Sequence, residues 1–258
     1  MDAYAPSAMA SPTHLRNAPI TEAVIDLRVR TAPDLSVQRF AELASRLGGQ
    51  YGDAKDITMF EVGIQQLPGA PLESKGVLHG CIGYRYESSD NKHIVQFRKD
   101  GFTFSRLAPY TRWEEIFAEA SRLYRLFVEI GSVEEVTRVA TRYINRLLLP
   151  QEEARNLSVF LTAPPPIPQG VSAHLTGFLT QIQFQDVETQ LSGTITQTVQ
   201  QGAGVPGKIP VILDLDVFEL KSSSPDPNQV LERFGDLRSV KNQYFFASIT
   251  DKTVDLYK

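Results

Sequence analysis

The sequence predicts an α+β fold of antiparallel sheets, each covered by a long helix, and three observations carry that reading. Short runs of alternating apolar and polar side chains recur along the chain, the pattern of strands with one buried face. Two longer stretches instead place their apolar residues at helical spacing. Each of these stretches follows several strands, so each helix is expected to lie across a sheet and bury its one-sided apolar surface. The expected order, β-α-β-β-β-β-α-β and then β-β-β-α, also admits a divergent duplication of a β-α-β(n)-α unit, although no residue-level repeat accompanies it.

The first strand begins near Pro19, where Ala23, Ile25, Leu27 and Val29 alternate with Glu22, Asp26, Arg28 and Arg30. Val37, Phe40, Ala41, Ala44 and Leu47 then read as a short helix stopped by Gly48 and Gly49. Four strands are expected next, at Asp56–Gln66, Val77–Glu87, His93–Arg98 and Phe102–Leu107. Leu67–Gly76 reads as a loop, and Lys99-Asp100-Gly101 as a tight hairpin turn. The clearest helix spans Thr111–Ile130, with Thr111 as cap, Glu114 completing a T-x-x-E box and Gly131 as stop. Its stripe of Trp113, Ile116, Phe117, Ala120, Leu123, Tyr124, Phe127 and Val128 is core. Val133–Leu149 fits helical spacing too, but its Val, Thr, Ile and Tyr content favours a long strand. Gln151–Gly170 is a connector ending in a Pro-rich run, Ala163–Pro168, that reads as a stiff linker. Strands follow at Leu175–Gln185, Leu191–Gln201 and Ile209–Leu220, and a last helix at Asp226–Ser248, capped by Asp226 with Pro227 behind it. The expected domains are a disordered tail at 1–16, an α+β block at 17–150, the connector at 151–170 and a β-β-β-α block at 171–258 packed with the first as one unit.

With 258 residues, 42% of them apolar, the chain can bury a core and is not disordered overall. A net charge of −4 argues against a large phosphate footprint, so nucleic acid is not an expected partner. One cysteine, Cys81, forbids an internal disulfide and fits a reducing, cytoplasmic setting. No run reaches the length of a membrane span.

Several motifs invite chemistry. His79 and Cys81 form a two-residue pair on one strand, short of the three or four ligands a zinc site needs. Cys81 lies in no recognisable nucleophile turn. Gly202-Ala203-Gly204-Val205-Pro206-Gly207 matches G-x-G-x-x-G but joins two strands, with no helix start to receive a phosphate. Asp214 and Asp216 share a strand face and are weak candidates for a metal such as Mg²⁺, against the plainer reading of a salt-bridged face. No cofactor is expected. The main candidate is ionic: Arg138, Arg142 and Arg146 recur every four residues on one face, and the first strand offers Glu22 and Asp26. If the strands are neighbours, these groups form a register-setting ladder; otherwise the arginines make an anion- or partner-binding surface.

Asn17-Ala18-Pro19-Ile20-Thr21-Glu22-Ala23-Val24 and Arg142-Tyr143-Ile144-Asn145-Arg146 together resemble a sporadically distributed family of uncharacterised bacterial proteins, with an N-A-P-I-x-E-A start and an R-Y-I-N motif. The resemblance covers most of the chain from Asn17. It implies a bacterial cytosolic protein and carries over no activity, and scattered occurrence of this kind often accompanies defence gene clusters.

Three functions compete on this basis. The first is a non-enzymatic interaction or regulatory protein, including a component of a defence or toxin–antitoxin system. It would act on a protein partner or as a homo-oligomer, with the Thr/Gln face of Ser192, Thr194, Thr196, Thr198 and Gln200 suited to pairing. The second is a small-molecule-binding domain with a cavity between sheet and helix. The third is an RNA-processing protein of ferredoxin-like fold, drawn from the β-α-β-β-α-β order of the first block.

Overall fold

The structure, a computed structural model, describes residues 9–65, 73–166, 176–200, 202 and 204–258. The expected loop at Leu67–Gly76 lies outside them up to residue 72, as do residues 1–8 of the expected tail, 167–170 of the connector, His174 and the first residue of the strand expected at Leu175.

Nine strands form one antiparallel sheet, in the order β2-β3-β4-β5-β1-β6-β9-β8-β7. They are β1 (Ile20–Thr31), β2 (Lys55–Gln65), β3 (Glu73–Glu87), β4 (His93–Arg98), β5 (Gly101–Leu107), β6 (Val133–Pro150), β7 (Leu179–Gln185), β8 (Ser192–Val199) and β9 (Lys208–Ser223). The helices are α1 (Gln38–Ala41), α2 (Trp113–Ile130), α3 (Pro227–Glu232), α4 (Phe234–Ser248) and α5 (Asp251–Asp255). This corrects the expectation of separate sheets, each covered by a long helix, and with it the duplicated unit. The reason lies in β6. Its alternation buries every second residue from Val139 to Leu149, and both of its edges are used, by β1 on one side and β9 on the other. A strand bonded on both edges joins the two blocks into one sheet.

Within that sheet, β1, β4, β5 and β6 with α1 and α2 follow a β-α-β-β-α-β order and lie side by side as β4-β5-β1-β6, the ferredoxin-like arrangement. The β2–β3 hairpin extends it beyond β4, and β9, β8 and β7 extend it beyond β6. Fold of this kind carries no function by itself.

One face of the sheet is covered. Ile25, Leu27, Phe102, Phe104, Val139 and Val217 are buried there with Leu123 and Phe127 of α2 and Phe234, Leu237 and Val240 at the start of α4. Phe127 meets the rings of Phe40, Phe97, Phe102 and Tyr124 at 5.6–6.4 Å. A second cluster sits at the far end of β6 and β9, where Leu147, Leu149, Val211 and Leu213 meet Phe160, Phe246 and Ile249.

Local details differ from expectation in several places. β3 starts at Glu73, inside the loop expected to run to Gly76. The short helix has only four α residues before a 3-10 turn at Glu42–Arg46. α2 starts after Arg112, whose side chain makes no cap, and the acid that bonds the Thr111 side chain is Glu115 and not Glu114. The last helix is broken at Arg233, whose guanidinium is held by Glu219 and Ser223 of β9. Asp226 does cap α3, accepting from the backbone N–H groups of Asn228 and Gln229. Finally, described residues of the expected disordered tail are placed: Met9 bridges Thr250, and Ala10 is buried with its N–H on the carbonyl of Ile249.

Candidate functional site

Among the described residues no helix covers the second face of the sheet, and the sequence-derived candidates stand on it. Asp26 (β1), Arg138 (β6) and Asp216 (β9) point out of the same side of three adjacent strands. Arg138 Nη1 donates to Asp26 Oδ2 at 3.0 Å, and Nη2 donates to both oxygens of Asp216 at 3.0 and 2.8 Å. Its guanidinium also lies 4.7 Å from the centre of the Phe218 ring. Thr103 Oγ1 donates to Asp26 Oδ1 at 2.7 Å, and Arg98 Nη1 donates to Thr103 at 2.9 Å. The chain of contacts thus runs across β4, β5, β1, β6 and β9. One row along, Arg142 Nε donates to Asp214 at 2.9 Å, with a second bond from Nη2. The side chains of Asp26, Arg138 and Asp216 are only 15%, 20% and 27% exposed. Burial raises the Asp216 carboxyl above its ordinary value, and the guanidinium groups of Arg138 and Arg142 oppose that shift.

These contacts are those of an ion-pair ladder between neighbouring strands. Arg138 bonds Asp26 and Asp216 and Arg142 bonds Asp214, so both weak metal candidates are carboxylate partners of these arginines. Four oxygens that would face a cation face guanidinium groups instead. Arg146 donates to Gln200 at 2.8 Å. Glu22 lies beside Leu107 and Ile144 in register, within Coulombic reach of Arg142.

The two motifs that carry the family resemblance are neighbours. Ile20 pairs with Asn145, Ala23 with Tyr143 and Val24 with Arg142, while the Arg146 N–H donates to the Pro19 carbonyl. The buried Asn145 amide donates to the carbonyls of Tyr143 in its own strand and Leu213 in β9, tying β6 to β9. Both motifs therefore have a structural role at one seam of the sheet.

The other motifs fall apart. β3 breaks its two-residue alternation where it passes Thr58 and Met59, and Gly80 adopts φ +78°, so His79 and Cys81 do not share a regular face. The His79 side chain lies outside the described residues. Among the described residues no three of His, Cys, Asp and Glu converge as metal ligands. The described part of the glycine motif links β8 to β9 as a hairpin. The Thr/Gln row of β8 is bonded by β7 and β9, so it offers a face and not an edge.

Sequence reasoning missed a cleft. Gly49, Gln50 and Tyr51, the β3–β4 turn at Ser88, Ser89 and Asp90, His93 and Glu119 of α2 enclose about 530 Å³. Tyr51 donates to Glu119 at 2.9 Å, and Arg122 donates to both Glu119 oxygens. These bonds hold the Glu119 carboxyl below its ordinary value against the opposing effect of burial. His93 stacks on Phe104, and its Nε2 lies 3.0 Å from Arg106 Nη1, which can only donate. Burial and that guanidinium push the His93 pKa down. Only the Glu119–Arg122 spacing of three was visible in advance, because the rest of the cleft comes from four separate segments.

Apolar side chains are exposed at both ends of the sheet. The β2–β3 hairpin outruns β4, whose pairing with β3 begins at Gly83. On that protruding arm Met59, Phe60, Val77 and Leu78 are 40–66% exposed. Phe60 pairs with Leu78, and its ring lies across Gly76, where a Cβ would come within 2.4 Å of it. At the other end, Leu179 and Ile182 of β7 are exposed.

Fold and surface together define an α+β protein built on one large antiparallel sheet with a balanced ionic face and two open ends. Among the described residues no helix is long and apolar enough to cross a membrane. No protein-family model matches the chain, and no curated protein matches it.

Proposed function

We propose that the protein works by contact, as a non-enzymatic interaction or regulatory protein of a bacterial cytoplasm, and that it is a member of the sporadically distributed family its two motifs resemble. One observation carries the reading: the β2–β3 arm stands clear of the sheet and presents Met59, Phe60, Val77 and Leu78 to solvent. A two-stranded ribbon outside a sheet has little stability of its own, and exposed apolar side chains on it are a cost that a partner removes. The ionic face supports the reading indirectly, since its arginines already have carboxylate partners. The test is affinity capture with the full chain from its native host, compared with the Phe60→Ser/Leu78→Ser double variant. A partner held by the wild type and lost by a variant of unchanged thermal stability supports the arm. Equal capture by both ends the proposal.

A second reading, small-molecule binding, rests on the cleft of Tyr51, His93 and Glu119, whose volume suits a metabolite-sized ligand. Native mass spectrometry of gently purified protein checks it. An added mass lost in Asp90→Asn favours the reading, and a bare chain with no thermal shift across a metabolite panel removes it.

A further inference from the structure

The geometry points to self-association: two copies of this chain pair through the outer edge of β7, antiparallel, about a two-fold axis passing at Ile182. β7 is the last strand of the sheet and bonds only β8. Among the described residues no backbone bond reaches its other side. Sheet edges are ordinarily defended by charges, prolines, bulges or a covering element. The opposite edge follows that rule: β2 carries Lys55 and Asp56 and pairs with β3 through two register shifts. β7 does not. Its sequence, Leu-Thr-Gln-Ile-Gln-Phe-Gln, has no charge and no proline, and it pairs with β8 in unbroken register from Leu179–Thr198 to Gln185–Ser192.

The edge is also held in place. The Phe184 ring lies across Gly193, where a Cβ would come within 2.3 Å of it, and stacks on Tyr244 of α4 at 3.9 Å. Tyr244 in turn bonds Asp186 just past the strand. A strand fixed in this way has little left to order on pairing.

The occupant that fits is a second copy. Antiparallel apposition about Ile182 sets Gln181 opposite Gln183 of the second copy, Thr180 opposite Phe184 and Ile182 opposite itself. Neither β7 nor β8 carries a charge, so no like charges meet across the axis. Side-chain amides both donate and accept, so a glutamine row complements its own image. Ile182, 53% exposed in one chain, meets its twin. A charged peptide would find no counter-charge on these strands, whereas a second copy needs none. Such an isologous contact closes at two chains.

Sedimentation velocity of the full chain across the micromolar range should give twice the 28.7 kDa of one chain. Ile182→Lys places like charges on the axis and should give the single-chain mass, with unchanged circular dichroism and melting temperature. Phe60→Lys, at the other end of the sheet, should leave the mass doubled. Residues directly opposed in an antiparallel pair have Cα atoms about 4.5–5.5 Å apart, within disulfide reach. Ile182→Cys in a Cys81→Ser background should therefore cross-link to itself on oxidation. The proposal is overturned by a single-chain mass at every concentration, by a doubled mass that survives Ile182→Lys, or by a dimer in which Ile182→Cys does not cross-link. It stands apart from the arm: a monomer that still captures a partner through Phe60 removes the dimer and keeps the contact reading.

Discussion

On the covered face of the sheet, Leu27, Val139 and Val217 lie under helices with no exposure at all. One residue along from each of these positions, on the open face, Asp26, Arg138 and Asp216 are also largely shielded, but by each other. The same three strands thus bury one side by apolar packing and the other by ion pairing. Apolar burial is non-directional and scales with area, so it tolerates small shifts of one strand past another. A guanidinium held between two carboxylates does not. A slip of one residue between β1 and β6 would move Arg138 to the wrong face and leave Asp26 and Asp216 without it. The covered face supplies most of the stability, and the open face selects the register.

Breaking the covered face should cost most. Phe127→Ala removes a ring that touches four other aromatic side chains, and should lower the unfolding free energy by about 3–5 kcal/mol in urea denaturation. A loss below 1 kcal/mol would mean that α2 is not the main cover.

Lys241 is the exception that sharpens the contrast, a cation on the apolar side. It sits on α4 with its ammonium 3.8 Å from the Tyr143 ring centre and 2.6 Å from Asn242 Oδ1. Burial, helped by nearby Arg238, pulls its pKa down to about 7. The unfolded chain then holds a proton that the folded chain has released, between pH 7 and about 10.5. Stability from this group therefore rises with pH across that window, by on the order of 4 kcal/mol if the whole shift is realised. Lys241→Met should be the more stable protein at pH 7 and should lose its advantage by pH 10. A melting temperature difference independent of pH would show that burial does not pull the lysine's pKa down.

The open face should respond less. Arg138→Met leaves Asp216 without its bonded cation and Asp26 with only the longer contacts of Arg28 and Arg98, at 3.5 and 3.8 Å, and should cost about 3 kcal/mol, the low end for losing one partner of a buried pair. Because the pair is shielded, 0.5 M salt should change that cost little.

How much of this was legible in the sequence follows the same division. The covered stripe of α2 was plain, because one helix carries all of it at one spacing. The arginine row was visible too, since Arg138, Arg142 and Arg146 share a face whether the segment is strand or helix. Their partners were half visible: Asp26 was named as a carboxylate for the arginines, while Asp214 and Asp216 read as a solvated or salt-bridged face, or more weakly as metal ligands, with no partner assigned. The missing fact was that β9 lies beside β6, a pairing across the 57 residues between Pro150 and Lys208 that no local pattern encodes. The same pairing makes one sheet from two expected blocks. The cleft was hidden for a similar reason, because Tyr51 and Glu119 are 68 residues apart.

Glu22 and Arg142 offer the finest test of whether the open face is a ladder of pairs or a diffuse field of charge. Both point from adjacent strands near the same row, and Arg142 is committed to Asp214 by paired bonds. Glu22 has no such bond and contributes only at a distance. A ladder predicts unequal effects. Arg142→Gln strands Asp214, whose side chain is only 14% exposed, and should cost about 1–2 kcal/mol, within the range for an acceptor left without its charged donor. Glu22→Gln should fall within about 0.5 kcal/mol of wild type, like most surface changes away from specific contacts. The double variant should be additive, since the two side chains share no bond. Equal losses in the two single variants, or a coupling above about 1 kcal/mol in the cycle, would place Glu22 inside the ionic lattice and extend it by one more row along β1.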